Sequence, residues 1–499
     1  MTTWSGKGAL VDRDTRRNIL TYYLNFLVVA LVGFVVNPLL LHALGPLFFG
    51  VWKSLQRYLD FATVADGRAS QALKWIVANR SLLDEQEKRR DVGAAVIIWF
   101  RWLPAAALVA VGIVVCVPLL VKGVPSEAQS MARITAAILA ANTVLAGLLA
   151  LPDSVLNGTN QGYRSMLVST VAFVFANILM LIVAFMQWPL WSLAIVVLGV
   201  AMANSAWTFY IARRFVSWWG IERPARGDVR RVQRYTGWTL GWVVVDKLFL
   251  STELVIVSLM LGAISVTKLT FTTYVMQFVI SIALVTASGF MPKLGAELGA
   301  SNLHAAAERA RSVRHLVLGV VALGSAAVLA FNGAFVLLWA GEGQYLGTSI
   351  NALLVVCGFQ LALIRMDSQI LDVTLKIAPK VMLGILGSAG GILSGCIAFA
   401  LSHQLAVSLL SVIGVRLICN IAYPFLVARA VPGSGLPIRP VALAVLILVV
   451  SIVIGRLPQS EVLTQAALAV CWLLMAAGMC WLGLVPKETV RALVKRQPK

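Results

Sequence analysis

A stripe of charged and amide side chains runs through residues 53–74, in a segment that is otherwise apolar. At about 100° per residue, an α-helix over this segment gathers seven polar residues into about one third of its circumference. This cationic stripe consists of Lys53, Gln56, Arg57, Asp60, Arg68, Gln71 and Lys74. Four members are cations and only one is an acid, so pairing within the stripe leaves most of its positive charge unbalanced. Such a face is suited to binding phosphate groups through charge-assisted hydrogen bonds.

The apolar surroundings restrict where the cationic stripe can lie. A charge at the centre of a bilayer costs up to about 3 kcal/mol, so five charges facing lipid would cost about 15 kcal/mol. The stripe is also roughly 33 Å long, enough to cross a bilayer. We therefore predict that it lines water or protein as the wall of a transmembrane cavity. Buried ion pairing is the alternative.

Other apolar segments also contain charged residues. Arg365 shares a helical face with Asp372, and Asp367 lies behind them; Asp246 and Glu253 are seven residues apart and lie one above the other on a helix. In total the apolar segments hold ten cations and six acids, an excess of four positive charges. Ionisable residues at this depth are candidate functional residues.

The overall composition identifies the class of protein. Of the 499 residues, 60% are hydrophobic and only 12% are charged, and the mean hydropathy is +0.87. Soluble domains are nearer half apolar and one quarter charged, which excludes a water-soluble enzyme and a disordered protein. The net charge of +20 therefore indicates membrane topology and not nucleic-acid binding.

Fourteen apolar runs are long enough to form membrane-spanning helices of about 20 residues. They cover residues 18–42, 49–77, 92–117, 131–152, 164–186, 190–212, 236–261, 264–291, 315–339, 347–373, 380–401, 405–428, 438–455 and 463–485. The segments on the N-terminal side of the membrane hold 29 of the 41 Lys and Arg residues, Arg314 and Lys380 among them, and the opposite side holds two. By the positive-inside rule, both termini are cytoplasmic.

These spans predict an all-α integral membrane protein with about 14 transmembrane helices in two pseudo-symmetric six-helix lobes plus two C-terminal helices. The predicted parts are a cytoplasmic N-terminal tail (1–17), an N-lobe (18–212), a basic cytoplasmic linker (213–235), a C-lobe (236–428), two further helices (438–485) and a cytoplasmic C-terminal tail (486–499). A weak repeat supports the two lobes, because Leu44-Gly45 and Leu261-Gly262 each precede a partly polar helix. Parallel repeats of this kind place a site between the halves.

The layout and local motifs resemble the polysaccharide-transporter branch (Wzx-type oligosaccharide flippases) of the multidrug/oligosaccharidyl-lipid/polysaccharide (MOP) flippase superfamily. Leu44-Gly45-Pro46 through Trp52 is similar to that family's LGP-x-x-x-G-x-W turn, and Asp66-Gly67 resembles its D-x-G segment. The second half carries a similar run in Asp246-Lys247, Leu261-Gly262 and Met291-Pro292-Lys293-Leu294.

The resemblance implies a flippase that moves polyprenyl-pyrophosphate-linked oligosaccharide, an O-antigen or exopolysaccharide repeat unit, from the cytoplasmic to the outer leaflet by alternating access. A pyrophosphate carries negative charge that Arg and Lys can balance. The expected substrate-binding residues are Lys53, Arg57, Arg68, Lys74, Arg365 and Arg416. The candidate coupling or gating acids are Asp60, Asp246, Glu253 and Asp367.

Three alternatives remain open at the level of sequence: a lipid II flippase, a cation-coupled multidrug exporter, and a membrane polysaccharide polymerase or ligase. No catalytic residue, metal site or cofactor is expected, and H⁺, Na⁺ and the membrane potential are the candidate energy sources. The expected partners are the lipid-linked glycan, membrane lipids, glycosyltransferases and a polysaccharide polymerase, with no nucleic acid. The expected location is a bacterial cytoplasmic (inner) membrane.

Overall fold

The computed structural model describes residues 13–63, 69–79, 84–288, 290–299, 302–374, 377–435, 438–456 and 462–485. Within these ranges the regular structure is entirely helical. The chain divides into two compact units, Met1–Val244 and Val245–Lys499. This boundary lies inside one long helix, α9 (Arg226–Met260), which begins within the segment predicted as the basic linker.

The first unit contains eight helices before α9 among the residues that the structure describes. They are α1 (Arg13–Ala62), α2 (Ala69–Asn79), α3 (Glu85–Val115), α4 (Val117–Leu120), α5 (Ser126–Leu149), α6 (Leu151–Gly158), α7 (Gly162–Phe185) and α8 (Trp191–Phe215).

The second unit follows α9 with eight α-helices and one π-helical turn in its described residues. They are α10 (Ala263–Ser288), α11 (Met291–Gly299), α12 (Leu303–Ala340), α13 (Thr348–Val373), α14 (Ile377–Ser402), α15 (Leu405–Ala430), α16 (Ile438–Ile454), α17 (Val462–Met479) and the π-helical turn Cys480–Leu484.

Every predicted span overlaps a helix, and ten helices in the described ranges are long and apolar enough to cross a bilayer. The largest difference concerns the second predicted span, 49–77. The structure places it on two helices, α1 to Ala62 and α2 from Ala69. Three other helices begin well before the corresponding predicted spans: α3 at Glu85, α9 at Arg226 and α12 at Leu303. A hydropathy profile stops a span at the first charged residues. The helix itself extends further, because its backbone hydrogen bonds do not depend on the polarity of the side chains.

Gly45 and Gly262, the two glycines of the predicted repeat, both have a positive φ. Gly45 has φ 73° and ψ 165° and separates two helical stretches of α1. Gly262 has φ 84°, and its amide donates to the Val257 carbonyl over 3.0 Å, the six-to-one bond that commonly ends a helix. A positive φ is accessible to glycine because it lacks Cβ. Both halves therefore use a glycine at the same point to turn the chain into their second helix.

Several helices of the first unit contribute to one small apolar core. Leu73 and Ile76 of α2, Val92 of α3, Val155 of α6 and Ala212 of α8 are all at least 90% buried within it. This core holds α2 against α3 and α6. The position of α2 matters because it carries Lys74, a member of the cationic stripe.

In the second unit, α14 packs closely against α15 and α9 along three glycines spaced four residues apart. A Cβ on Gly387 would collide with the side chains of Cys419 and Phe249, and one on Gly395 would collide with Ile256. Gly391 lies between them, in contact range of Val412. Glycines at this spacing let the backbones of membrane helices approach closely.

We predict that Gly45→Ala destabilises the protein without creating a clash. The backbone of Gly45 lies in a region that is almost exclusive to glycine, whereas a Cβ there would meet no atom within 4 Å. The expected loss is about 1–3 kcal/mol, seen as a lower melting temperature in detergent. Gly112→Ala is the matched control, since Gly112 lies within helix α3 and also has open space around it. Equal melting temperatures for the two variants would contradict this account of Gly45.

Candidate functional site

Helix α1 presents the first half of the cationic stripe on its accessible side. Gln56 and Asp60 are exposed, and Lys53 and Arg57 are partly buried. The remaining sides of the same turns are almost completely buried, as shown by Val51, Trp52, Ser54, Leu55, Tyr58 and Leu59. This division agrees with the face predicted from helical periodicity for residues 53–60.

Contacts within the first unit fix the orientation of this part of α1. The Tyr58 hydroxyl donates to the Leu120 carbonyl of α4 over 3.2 Å. Trp52, of which 1% is exposed, fills the interior on the same side. The Lys53 ammonium lies 5.3 Å from the ring centroid of Phe49, one turn earlier, in a cation–π contact. The helix is therefore held with its cations turned away from the apolar interior of the unit.

The second half of the cationic stripe is only partly described. Arg68 lies outside the described residues. Lys74 is partly buried on α2, whose side chains Leu73 and Val77 are buried in the shared core. A Cβ on Gly158 of α6 would lie 2.9 Å from the Lys74 carbonyl, so α6 touches the backbone of α2 at this point. Because α1 ends at Ala62 and α2 begins at Ala69, the helical wheel establishes a common face only for the residues on α1.

In the second unit, Arg365 and Asp246 form a two-pronged ion pair between α13 and α9. Arg365 Nε lies 2.8 Å from Asp246 Oδ1, and Nη2 donates to Oδ2 over 3.0 Å. About one fifth of each side chain is exposed. The pair combines one predicted substrate-binding cation with one predicted coupling acid. Its partial exposure leaves both groups within reach of an incoming ion.

Arg416 and Glu253 form a second pair that is much more enclosed. Arg416 Nη1 donates to Glu253 Oε1 over 2.6 Å and to the Cys357 carbonyl over 3.3 Å, and Nη2 donates to the Phe249 carbonyl over 3.0 Å. No part of the Arg416 side chain is exposed. One guanidinium thus links α9, α13 and α15, and Arg416 has the contacts of a structural crosslink in this conformation.

Two more intramembrane acids have partners that the sequence analysis assigned to cytoplasmic segments. Asp367 Oδ1 lies 2.9 Å from Arg314 Nε, and Arg314 Nη1 also donates to the Ser434 carbonyl over 2.9 Å. Asp372 pairs with Lys380. Hydropathy places Arg314 just before one predicted span and Lys380 at the edge of another, whereas α12 begins at Leu303 and α14 at Ile377. The continuing helical spacing of Ala306, Ala310, Val313 and Val317, all buried, was the available signal.

The described contacts of the second unit show how it accommodates intramembrane charge. In the described part of the second unit, the acids Asp246, Glu253, Asp367 and Asp372 each pair with one Arg or Lys. Each pairing neutralises one positive charge. In the first unit, the face of α1 carries two cations and one acid within two turns, and these side chains are accessible or only partly buried.

The described acidic residues can also be tested as ligands for a metal ion. Among the described residues, no group of three or more His, Cys, Asp or Glu side chains is arranged to bind a metal. A sodium ion at Asp246 or Glu253 would compete with the arginine that now pairs with each carboxylate. Cation binding at these acids is therefore linked to release of an arginine.

No protein-family model and no curated protein matches the sequence. Solved structures do match in fold. The lipid II flippase MurJ, in an inward closed conformation, aligns with a TM-score of 0.69 at 13% identity, covering 96% of this chain and all of that chain. A multidrug resistance MATE family transporter of the MOP superfamily, facing inward, aligns with a TM-score of 0.63 at 14% identity, covering 85% of this chain and all of the other.

A MOP superfamily transporter from Pyrococcus furiosus, whose binding pocket is described as having reverse polarity, gives a TM-score of 0.51 at 16% identity over 84% of this chain and 96% of that chain. At these identities the likenesses establish the fold alone. The chain has a MOP transporter-like fold, as the sequence predicts.

We predict that Arg416→Gln prevents folding, whereas Arg365→Gln is tolerated. Removing Arg416, which is fully buried, leaves Glu253 with 16% exposure and without its arginine, and leaves the Phe249 and Cys357 carbonyls without this donor, at a cost of about 3–5 kcal/mol. Removing Arg365 leaves Asp246 partly exposed, so its charge can be hydrated. The measurement is the monodisperse fraction on size-exclusion chromatography in detergent. Adding Glu253→Gln to Arg416→Gln should recover part of the lost fraction, because it removes the uncompensated charge. Equal yields of the two single variants would contradict the difference between the pairs.

Proposed function

We propose that the protein is a flippase that moves polyprenyl-pyrophosphate-linked oligosaccharide from the cytoplasmic to the outer leaflet by alternating access. Its fold is similar to those of transporters of the MOP superfamily and of the lipid II flippase MurJ. The observation that carries the proposal is the accessible cationic face of α1. A pyrophosphate needs Arg or Lys partners in a low-dielectric region, and this face supplies them.

Lys53 and Arg57 are the proposed first contacts of the pyrophosphate. They are one turn apart on α1, a spacing of about 6 Å that suits two cations binding the two phosphates of one group. Lys74 and Arg68 are proposed to extend this anion-binding surface. Gln56, exposed on the same face, can donate hydrogen bonds to sugar hydroxyls.

In the second unit, Arg365 is the cation best suited to exchange partners. Its planar guanidinium already binds a carboxylate through two nitrogens, and a phosphate offers the same geometry with more charge. Protonation of Asp246 would release Arg365 towards such an anion. Asp246 is thus the leading coupling candidate, with Asp60, Glu253 and Asp367 as the others. Arg416, enclosed by its three acceptors, would support the site by holding α9 in place.

Lipid II flipping is the second candidate function. The MurJ structure covers 96% of this chain with a TM-score of 0.69, and lipid II shares the polyprenyl pyrophosphate. The cationic face of α1 would suit either substrate. A multidrug exporter of organic cations is disfavoured by the same face, because like charges repel.

We predict that neutralising the face of α1 abolishes flipping while the protein still folds and inserts. The variant is Lys53→Gln with Arg57→Gln, reconstituted in proteoliposomes that contain a polyprenyl-pyrophosphate-linked oligosaccharide. Loss of two charge-assisted contacts should lower the flipping rate at least tenfold, on the basis of roughly 1.5–3 kcal/mol per contact. Arg68→Gln tests the stripe beyond α1 in the same assay.

Arg133→Gln is the matched control, since Arg133 is an exposed cation near the beginning of α5 and away from the stripe. Near-normal flipping by the double variant and by Arg68→Gln would overturn the assignment. Repeating the assay with lipid II separates the two candidate functions. Export of a fluorescent organic cation with no flipping of either lipid would favour the drug exporter, and formation of glycosidic bonds would favour a polymerase or ligase.

A further inference from the structure

An apolar groove runs along the exposed surface of the first unit between α7 and α8. Its walls include Leu167, Val171, Phe175 and Leu179 from α7, and Gly199 and Trp207 from α8, and its volume is about 700 Å³. The groove extends from Leu167 to Leu179, a distance of about 18 Å along a helix. This length is close to the depth of one leaflet, about half of a 30 Å hydrocarbon core.

One end of the groove carries three arginines without acidic partners in the described part of the chain. Arg164 lies one turn before Leu167 on α7, and its guanidinium stacks 3.7 Å from the ring centroid of Phe215, the last residue of α8. Its Nε is buried and has no hydrogen-bond partner in the described residues. Arg213 and Arg214 are exposed at the end of α8, and Arg214 donates to the Tyr210 hydroxyl over 3.2 Å.

Polar side chains lie between the arginines and the apolar part of the groove. Asn204 lines the groove and its Oδ1 accepts a hydrogen bond from Ser169 over 3.4 Å. The exposed ring of Trp207, on the next turn of α8, is typical of the membrane–water interface. From one end to the other, the groove thus offers guanidinium groups, an amide with aromatic rings, and then apolar walls.

We propose that this groove binds an anionic phospholipid, with the phosphate on Arg164 and Arg214, the ester region at Asn204 and Trp207, and one acyl chain between α7 and α8. The order of chemical groups along the groove is that of a phospholipid, and the apolar part fits one leaflet. Basic sites between membrane helices are suited to anionic headgroups. The site does not depend on which substrate is transported.

The second unit contains a comparable groove that provides an internal comparison. It lies between α14 and α15, lined by residues such as Met382, Leu386, Ile418 and Phe425, and it has a volume of about 760 Å³. These helices begin about 215 residues after α7 and α8, close to the spacing of the repeat. Among the described residues of α14 and α15, Arg429 is an exposed cation at the end of α15, whereas Lys380 is buried and paired with Asp372. Within the described residues, the first groove is therefore the more cationic of the two.

The test is native mass spectrometry of the purified full-length protein in detergent, mixed with phosphatidylglycerol and phosphatidylcholine of identical acyl chains. We expect the wild type to retain phosphatidylglycerol about tenfold better than phosphatidylcholine, a difference typical of charge-assisted contacts. Arg164→Gln with Arg214→Gln should remove this preference, Arg164→Lys should keep part of it, and Arg429→Gln should leave it unchanged.

Blocking the apolar part of the groove tests acyl-chain binding separately. A Cβ on Gly199 meets no atom within 4 Å and Gly199 lines the groove, so Gly199→Leu places a side chain in it and should lower retention of both lipids. Gly112→Leu, at another exposed helical glycine with open space, is the control that should behave as the wild type.

Equal retention of the two lipids by the wild type, or an unchanged preference in the double arginine variant, would overturn the proposal. Retention of a polyprenyl phosphate in place of phosphatidylglycerol, lost in the same variants, would overturn it in favour of a substrate-lipid site.

Discussion

The low dielectric constant of the bilayer is the constraint on which this structure depends. A charge that faces lipid must be neutralised, hydrated or moved to the interface, because its solvation by water is lost. The second unit meets the constraint by pairing, as in the enclosed contact of Arg416 with Glu253 and two backbone carbonyls. In the first unit, α1 also turns Lys53 and Arg57 away from its apolar interior. The fold is built around these two solutions.

The two solutions imply different roles for the units. Ion pairs such as Asp246–Arg365 connect neighbouring helices and respond to protons and competing ions, so they are suited to coupling. An accessible run of cations along α1 can instead attract an anionic headgroup directly. The proposed flippase uses both properties, with substrate charge compensated mainly in the first unit and the response to binding transmitted through the ion pairs of the second.

Sequence periodicity is sufficient to predict a helical face only where the helix is uninterrupted. The polar face of α1 was predictable because Lys53, Arg57 and Asp60 are close together on one uninterrupted helical segment. The continuation of that face to Lys74 was not, because α1 ends at Ala62 and α2 begins at Ala69, and a helical wheel assumes a single axis. Hydropathy likewise located the spans but began several of them too late, which hid Arg314 as the partner of Asp367.

The sequence by itself determined the helical membrane class, the repeat marked by Gly45 and Gly262, and the excess of positive charge. These properties follow from composition, from local periodicity and from the backbone freedom of glycine. Only the tertiary structure decided which charges neutralise one another. Asp246 and Arg365 are 119 residues apart in the chain, and their pairing depends on how α9 packs against α13. Local sequence cannot specify such a contact, because side chains from distant helices meet only after the helices have packed.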